Sequence, residues 1–188
     1  MKNTITLKVL MFMMLLGASN SLIAQTTLIS SSGDGGFETG NTFTSNNWTL
    51  VNGSQTNQWV LGTAATGYSG NRAAYISNNG GSSNAISNNT SVVHFYRNVT
   101  FPAGQTQITL SFDFKQATLD QTFDYVQVFL VSTGTTPVAG TELSSGQIGN
   151  SEYPGATALS SFTNFTITIP ASNAGTTKRL VFSWHNDA

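Results

Sequence analysis

Few residues in this chain could do chemistry, and their types and spacing narrow the options. It has two histidines and no cysteine, so thiol nucleophiles, thiolate metal sites and disulfides are ruled out. His94 and His185 both fall in segments of strand periodicity, and neither belongs to the His-Glu-x-x-His pattern of a zinc protease. Both read as packed or solvent-facing strand residues. Gly67-Tyr68-Ser69-Gly70 is one residue short of a serine nucleophile elbow and lacks its strand–turn–helix setting, so it reads as a turn. The glycine-rich Gly33-Asp34-Gly35-Gly36 does not match a phosphate loop. A glycosidase would need two carboxylates that meet; Asp113 and Asp124 fall on separate predicted strands, and nothing in their spacing joins them. The chain reads as non-catalytic.

The elements that carry these residues begin with an export signal. Lys2 and Lys8 precede the apolar run 9–16, which is too short to span a bilayer. Gly17, Ala18 and Ser19 follow, then Leu22-Ile23-Ala24-Gln25. This is the layout of a signal peptide over residues 1–24, cleaved after Ala24, with Ser19 as the alternative position. One domain, 25–188, remains, and no second apolar stretch approaches membrane length. A secreted or cell-surface location is expected.

Charge is scarce. Seven basic and eight acidic residues make 8% of the 188, against about 25% in ordinary globular chains. A net charge of −1 leaves no basic cluster to neutralise phosphates, which excludes a nucleic-acid binder. With 39% hydrophobic and 11% aromatic residues the chain buries enough apolar surface to fold.

Beyond the signal the pattern is strands and turns. Ile108, Leu110, Phe112 and Phe114 alternate with Thr109, Ser111, Asp113 and Lys115, the period of a strand with one wet face. Phe165–Ile169 and Leu180–His185 repeat it. Val92–Val99 and Tyr125–Val131 are apolar on both faces, which predicts central strands or a face covered by loops. Thr26–Ser30, Trp48–Val51, Gln58–Leu61 and Ala73–Ser77 are shorter candidates, and 140–161 reads as a long loop with one short strand at most. About ten short strands separated by glycine- and asparagine-rich turns predict an all-β fold, an antiparallel β-sandwich of jelly-roll type. Thr and Ser are then expected on the wet faces, where Thr suits the pleat.

The ordered set of motifs is more specific. Gly36-Phe37-Glu38-Thr39-Gly40, Asn47-Trp48, Gln58-Trp59 and the run 70–78 come first; Leu110–Lys115, Asp124–Val128 and Arg179–Asp187 follow. Over residues 36–187 this order resembles the cleaved-adhesin and MAM-like (choice-of-anchor J type) jelly-roll modules of secreted bacterial surface proteins. The resemblance implies a non-catalytic module for adhesion, with an extracellular glycan or protein as ligand. It also implies that Glu38 can ligate a structural Ca2+, with Asp34 a weaker candidate in a glycine turn that exposes carbonyl oxygens, and Asp124 and Asp187 further possibilities. Such modules continue past the region matching Trp184–Asp187 into a last strand, so the chain is expected to be a fragment lacking that strand, with further domains in the same polypeptide.

Ligand contact is expected from aromatic side chains with a polar tip. Trp59, Tyr68 and Arg72 flank one predicted loop and form the candidate binding surface, whereas Trp48 and Trp184 are expected in the core. The alternatives are an accessory domain of a secreted protease or glycosidase, or a structural spacer.

Overall fold

The structure, a computed structural model, describes residues 25–65, 67–116, 123–155 and 157–187; the expected signal peptide lies outside them. Nine strands follow in order: β1 (Thr49–Val51), β2 (Gln58–Gly62), β3 (Ala73–Ser77), β4 (Ser91–Thr100), β5 (Ile108–Gln116), β6 (Tyr125–Ser132), β7 (Gln147–Tyr153), β8 (Leu159–Ile169) and β9 (Thr177–Asn186). Every strand pairing is antiparallel. One layer is a five-stranded sheet in the order β1-β4-β9-β6-β7. The facing layer is made of two separate pairs, β2-β3 and β5-β8. This is the expected β-sandwich, and no helix among the described residues is long and apolar enough to cross a membrane.

Alternation builds the core. Val93 and Phe95 of β4, Leu180 and Trp184 of β9, and Val126 and Val128 of β6 point inward and meet Trp59, Ile76, Ile108, Ile167 and Ile169 from the facing layer. Phe95 is the hub. Its ring stacks on Phe182 at 5.1 Å and meets the edges of Trp48 at 5.1 Å and Trp59 at 4.9 Å. Such ring pairs add about 0.5–1.5 kcal/mol each beyond the area they bury. Trp48 and Trp184 are buried, as expected.

β4 and β6 are the interior strands their two-sided apolar pattern predicts, and their outer face is covered as well. The segment 133–146 lies across it like a strap, over a second small cluster of Phe129, Val131 and Val181. On the facing layer, Thr109, Ser111, Thr166 and Thr168 are exposed, so the hydroxyl residues occupy the wet face.

Buried amides stand where a more charged protein would use ion pairs. Asn57, fully buried, donates through Nδ2 to the carbonyls of Ser87 and Asn89, both at 2.9 Å, and to Asn186 Oδ1 at 3.0 Å. These bonds tie the start of β2 to the end of β9.

Two expectations change. Thr26–Ser30 is not a strand. The Ser30 carbonyl instead accepts the N–H groups of Gly33 and Gly35, at 3.1 and 2.8 Å, which turns the chain, and residues 26–30 join no strand ladder among the described residues. The region 140–161 contains the one short strand allowed for it and, beyond that expectation, the start of a second. It holds β7 and the first residues of β8. β7 is a polar edge strand bent at Gly149, which sits at φ 77° and carries no apolar alternation to betray it.

Candidate functional site

The loop between β2 and β3 carries the exposed members of the predicted surface. Tyr68 is 63% exposed, and its ring rests on Phe162 of β8 with centroids 5.7 Å apart. Arg72 sits at the foot of the loop. One carboxylate holds this loop in place: Glu38 Oε1 accepts the N–H groups of Asn71 at 2.9 Å and Arg72 at 2.8 Å. The Arg72 guanidinium stands 3.8 Å from Glu38 Oε2. Gly70 makes the approach feasible, because a Cβ there would lie 2.4 Å from Oε1.

Trp59 does not belong to this surface. It is 5% exposed, its Nε1–H donates to the Val93 carbonyl at 3.2 Å, and its ring packs on Phe95. Trp59 lies opposite Ile76 in the β2–β3 ladder, and both project into the core. Tyr68, Arg72 and Trp59 all line one cavity, Tyr68 as an exposed ring and Trp59 as a core ring buried in its wall.

Asp34 is engaged elsewhere. Its Oδ2 accepts from Arg97 Nη1 at 2.6 Å and Asn47 Nδ2 at 3.4 Å. Burial works to raise the Asp34 carboxyl, but the Arg97 hydrogen bond and charge, with Asn47 and the Ser30 backbone, outweigh it and hold the group below the usual carboxylate range. Arg97 in turn lies over the Trp48 ring at 5.3 Å, and Trp48 Nε1–H donates to the Asp34 carbonyl at 3.0 Å. Calcium takes six to eight oxygen ligands. Here Glu38 and Asp34 each face nitrogen donors and a guanidinium, and no group of three or more Asp, Glu, His or Cys gathers among the described residues. The residues present do not fit a calcium ion.

Sequence reasoning missed one cluster. Ser183 Oγ lies 2.9 Å from His185 Nε2, and His185 Nδ1 lies 3.4 Å from Glu142 Oε1. The order hydroxyl, imidazole, carboxylate is that of an activated nucleophile. Yet Ser183 is completely buried, so no substrate reaches its hydroxyl. The cluster serves the fold: with His94, whose Nε2–H faces the Val138 and Thr141 carbonyls at 3.2 Å each, it seats the 133–146 strap on the sheet. Burial pushes both imidazoles below their ordinary value; for His185 the Glu142 carboxylate acts in the opposite direction. The i, i+2 spacing of Ser183 and His185 on a strand was the available signal. Glu142, on the strap, had none.

No protein-family model and no curated protein matches the chain. The K1 cleaved adhesin domain of Lys-gingipain (Kgp) from Porphyromonas gingivalis W83 is a solved structure to which this chain is similar, with a TM-score of 0.44 and 18% sequence identity, over 75% of this chain and 82% of that one.

Proposed function

We propose that this chain is a non-catalytic binding module of an exported surface protein, and that it engages an extracellular glycan or protein through the loop between β2 and β3. One observation carries the reading. The double N–H clamp of Glu38 fixes the loop while leaving Tyr68 63% exposed against Phe162. A preorganised aromatic with a polar tip loses little entropy on binding and suits both sugar rings and peptide surfaces. Arg72 beside it adds a guanidinium for carboxylate or carbonyl groups. The burial of Ser183 supports the non-catalytic part of the reading.

The test is a glycan array together with a panel of immobilised extracellular proteins, probed with residues 25–188. A ligand bound by the parent chain and lost in Tyr68→Ala, with an unchanged melting temperature, supports the proposal. A ligand bound equally by both proteins moves the site away from this loop, and a blank screen favours a structural spacer.

A further inference from the structure

The chain has three arginines, and two of them are bound into the fold. Arg97 donates to Asp34 Oδ2 at 2.6 Å and lies over the Trp48 ring. Arg179 donates to Asn98 Oδ1, the Thr135 carbonyl and Thr136 Oγ1, and lies over the Tyr96 ring at 4.3 Å. Arg72 differs. Among the described residues its guanidinium donates no hydrogen bond and covers no ring, and its one partner is Glu38 Oε2 at 3.8 Å, beyond hydrogen-bond reach. Glu38 is satisfied without it, because Oε1 already accepts the N–H groups of Asn71 and Arg72. The loop therefore holds the Arg72 backbone in place and leaves its side-chain donors free. Tyr68, on the same loop, is exposed, and both residues line a cavity of about 970 Å³.

We infer that Tyr68 and Arg72 together take a glycan that ends in a uronic acid, its pyranose ring on Tyr68 and its carboxylate on the Arg72 guanidinium. The inference rests on the reading of this loop as the binding surface and names the class of its ligand. A guanidinium presents paired N–H donors that match the two oxygens of a carboxylate, a fit no sugar hydroxyl makes. The C–H face of a pyranose covers an exposed aromatic ring, and a uronic acid carries its carboxylate directly on that ring. The charges around the cavity set how many anionic groups it accepts. Among the described residues that line it, Arg72 is the one basic side chain and Asp113 the one acidic side chain. An acidic peptide segment or a sulfated polysaccharide would set further negative charges against Asp113 with no cation to answer them. A single carboxylate finds its counter-charge. The rest of the rim favours a sugar over the C-terminus of a peptide. Ser69, Gln107, Thr109, Ser111 and Asn164 line the same cavity and are exposed, so hydroxyl and amide groups are at hand for the ligand's own hydroxyls.

The probes are di- and trisaccharides that end in glucuronic, galacturonic or mannuronic acid, each beside a counterpart whose carboxylate is reduced to a hydroxymethyl group. Isothermal titration reads their binding to residues 25–188. We expect at least one acid to bind at least about tenfold more tightly than its reduced counterpart, the value of a charged hydrogen bond. That advantage should vanish in Arg72→Gln and survive only in part in Arg72→Lys, which keeps the charge and loses the fork. Tyr68→Ala should abolish binding of both sugars. The melting temperature of Arg72→Gln should match the parent, because the guanidinium makes no hydrogen bond and Glu38 grips the backbone. A clear fall would make Arg72 a structural residue and overturn the inference. If that variant fails to fold, the comparison of acid with reduced sugar on the parent chain decides the matter. An acid preference that persists in Arg72→Gln overturns the inference, since the carboxylate then lies elsewhere. So does tighter binding of short peptides through their C-terminal carboxylate, which assigns the pair to a peptide. Equal affinity for acid and reduced sugar, both dependent on Tyr68, overturns it and leaves the binding-module reading intact. Failure of every probe also overturns it, and the wider screen with Tyr68→Ala then judges the binding-module reading by itself.

Discussion

Glu38 and Arg72 meet twice: the Glu38 carboxylate accepts the Arg72 backbone N–H at 2.8 Å and faces its guanidinium at 3.8 Å. The two contacts differ in strength. The backbone bond is short and charge-assisted, whereas the ion pair is longer and partly exposed, which leaves it little net value. Glu38→Ala should therefore act through the lost N–H acceptor, destabilising the domain by about 1–3 kcal/mol, and Glu38→Gln, which keeps an acceptor, by clearly less. Chemical denaturation measures both. Equal losses would show that charge, and not the acceptor, holds the loop.

The same geometry bears on calcium. An ion at Glu38 would have to displace the N–H groups of Asn71 and Arg72 and sit beside a guanidinium. Millimolar calcium should leave the melting temperature of residues 25–188 unchanged, and EDTA should do the same. A calcium-dependent rise that disappears in Glu38→Gln would restore Glu38 as a ligand.

Trp59 changes role, and with it the expected consequence of mutation. As a surface residue, Trp59→Ala would cost binding alone. In the core, with its ring on Phe95 and its Nε1–H on the Val93 carbonyl, the same substitution should cost about 3–5 kcal/mol. Thermal unfolding distinguishes the two roles, and a variant as stable as the parent would return Trp59 to the surface.

What could be read in advance follows from where water lies. β5 is legible because one face is wet and the other is not, so Ile108, Leu110, Phe112 and Phe114 alternate cleanly with polar residues. β7 is not, because its two apolar residues, Ile148 and Tyr153, stand five positions apart with only Gly, Asn, Ser and Glu between them, so no alternation shows. Trp59 stands near a strand end, where an aromatic is easily assigned to the neighbouring loop, although its alternation with Gln58 and Val60 puts it on one face of β2. The clamp from Glu38 to Asn71 and Arg72 spans 33 and 34 positions. A pairing between a side chain and distant backbone leaves no pattern in the sequence. The strap is similar: the burial of His94 depends on carbonyls at Val138 and Thr141, which any residue types would supply.

Those two histidines set the last expectation, a pH dependence with a definite sign. Both imidazoles titrate below the ordinary 6.5 in the folded chain: burial disfavours charge at each, and for His185 the neighbouring His94 adds to it while Glu142 opposes it. The groups around them are Glu142 on the strap, Ser183 on β9 and Tyr125 of β6, whose ring stacks on His185 at 4.9 Å. A group with a depressed folded pKa binds its proton more readily in the unfolded chain. The stability it contributes is therefore fully present above about pH 6.5 and falls as pH drops below that value, by about 1.4 kcal/mol for every tenfold difference in proton affinity between the unfolded and folded chains. The melting temperature should hold steady above neutrality and decline from pH 6.5 downward, well before most carboxylates titrate. His94→Gln keeps a donor for the Val138 and Thr141 carbonyls and cannot charge, so it should flatten part of that decline. His94→Gln with His185→Phe should flatten most of it. Hydrogen exchange at acid pH should show the strap, 133–146, losing protection before β4 and β9. A parent curve that stays flat down to pH 5 would mean that the strap lets both histidines charge in place, and the seating role assigned to them would be wrong.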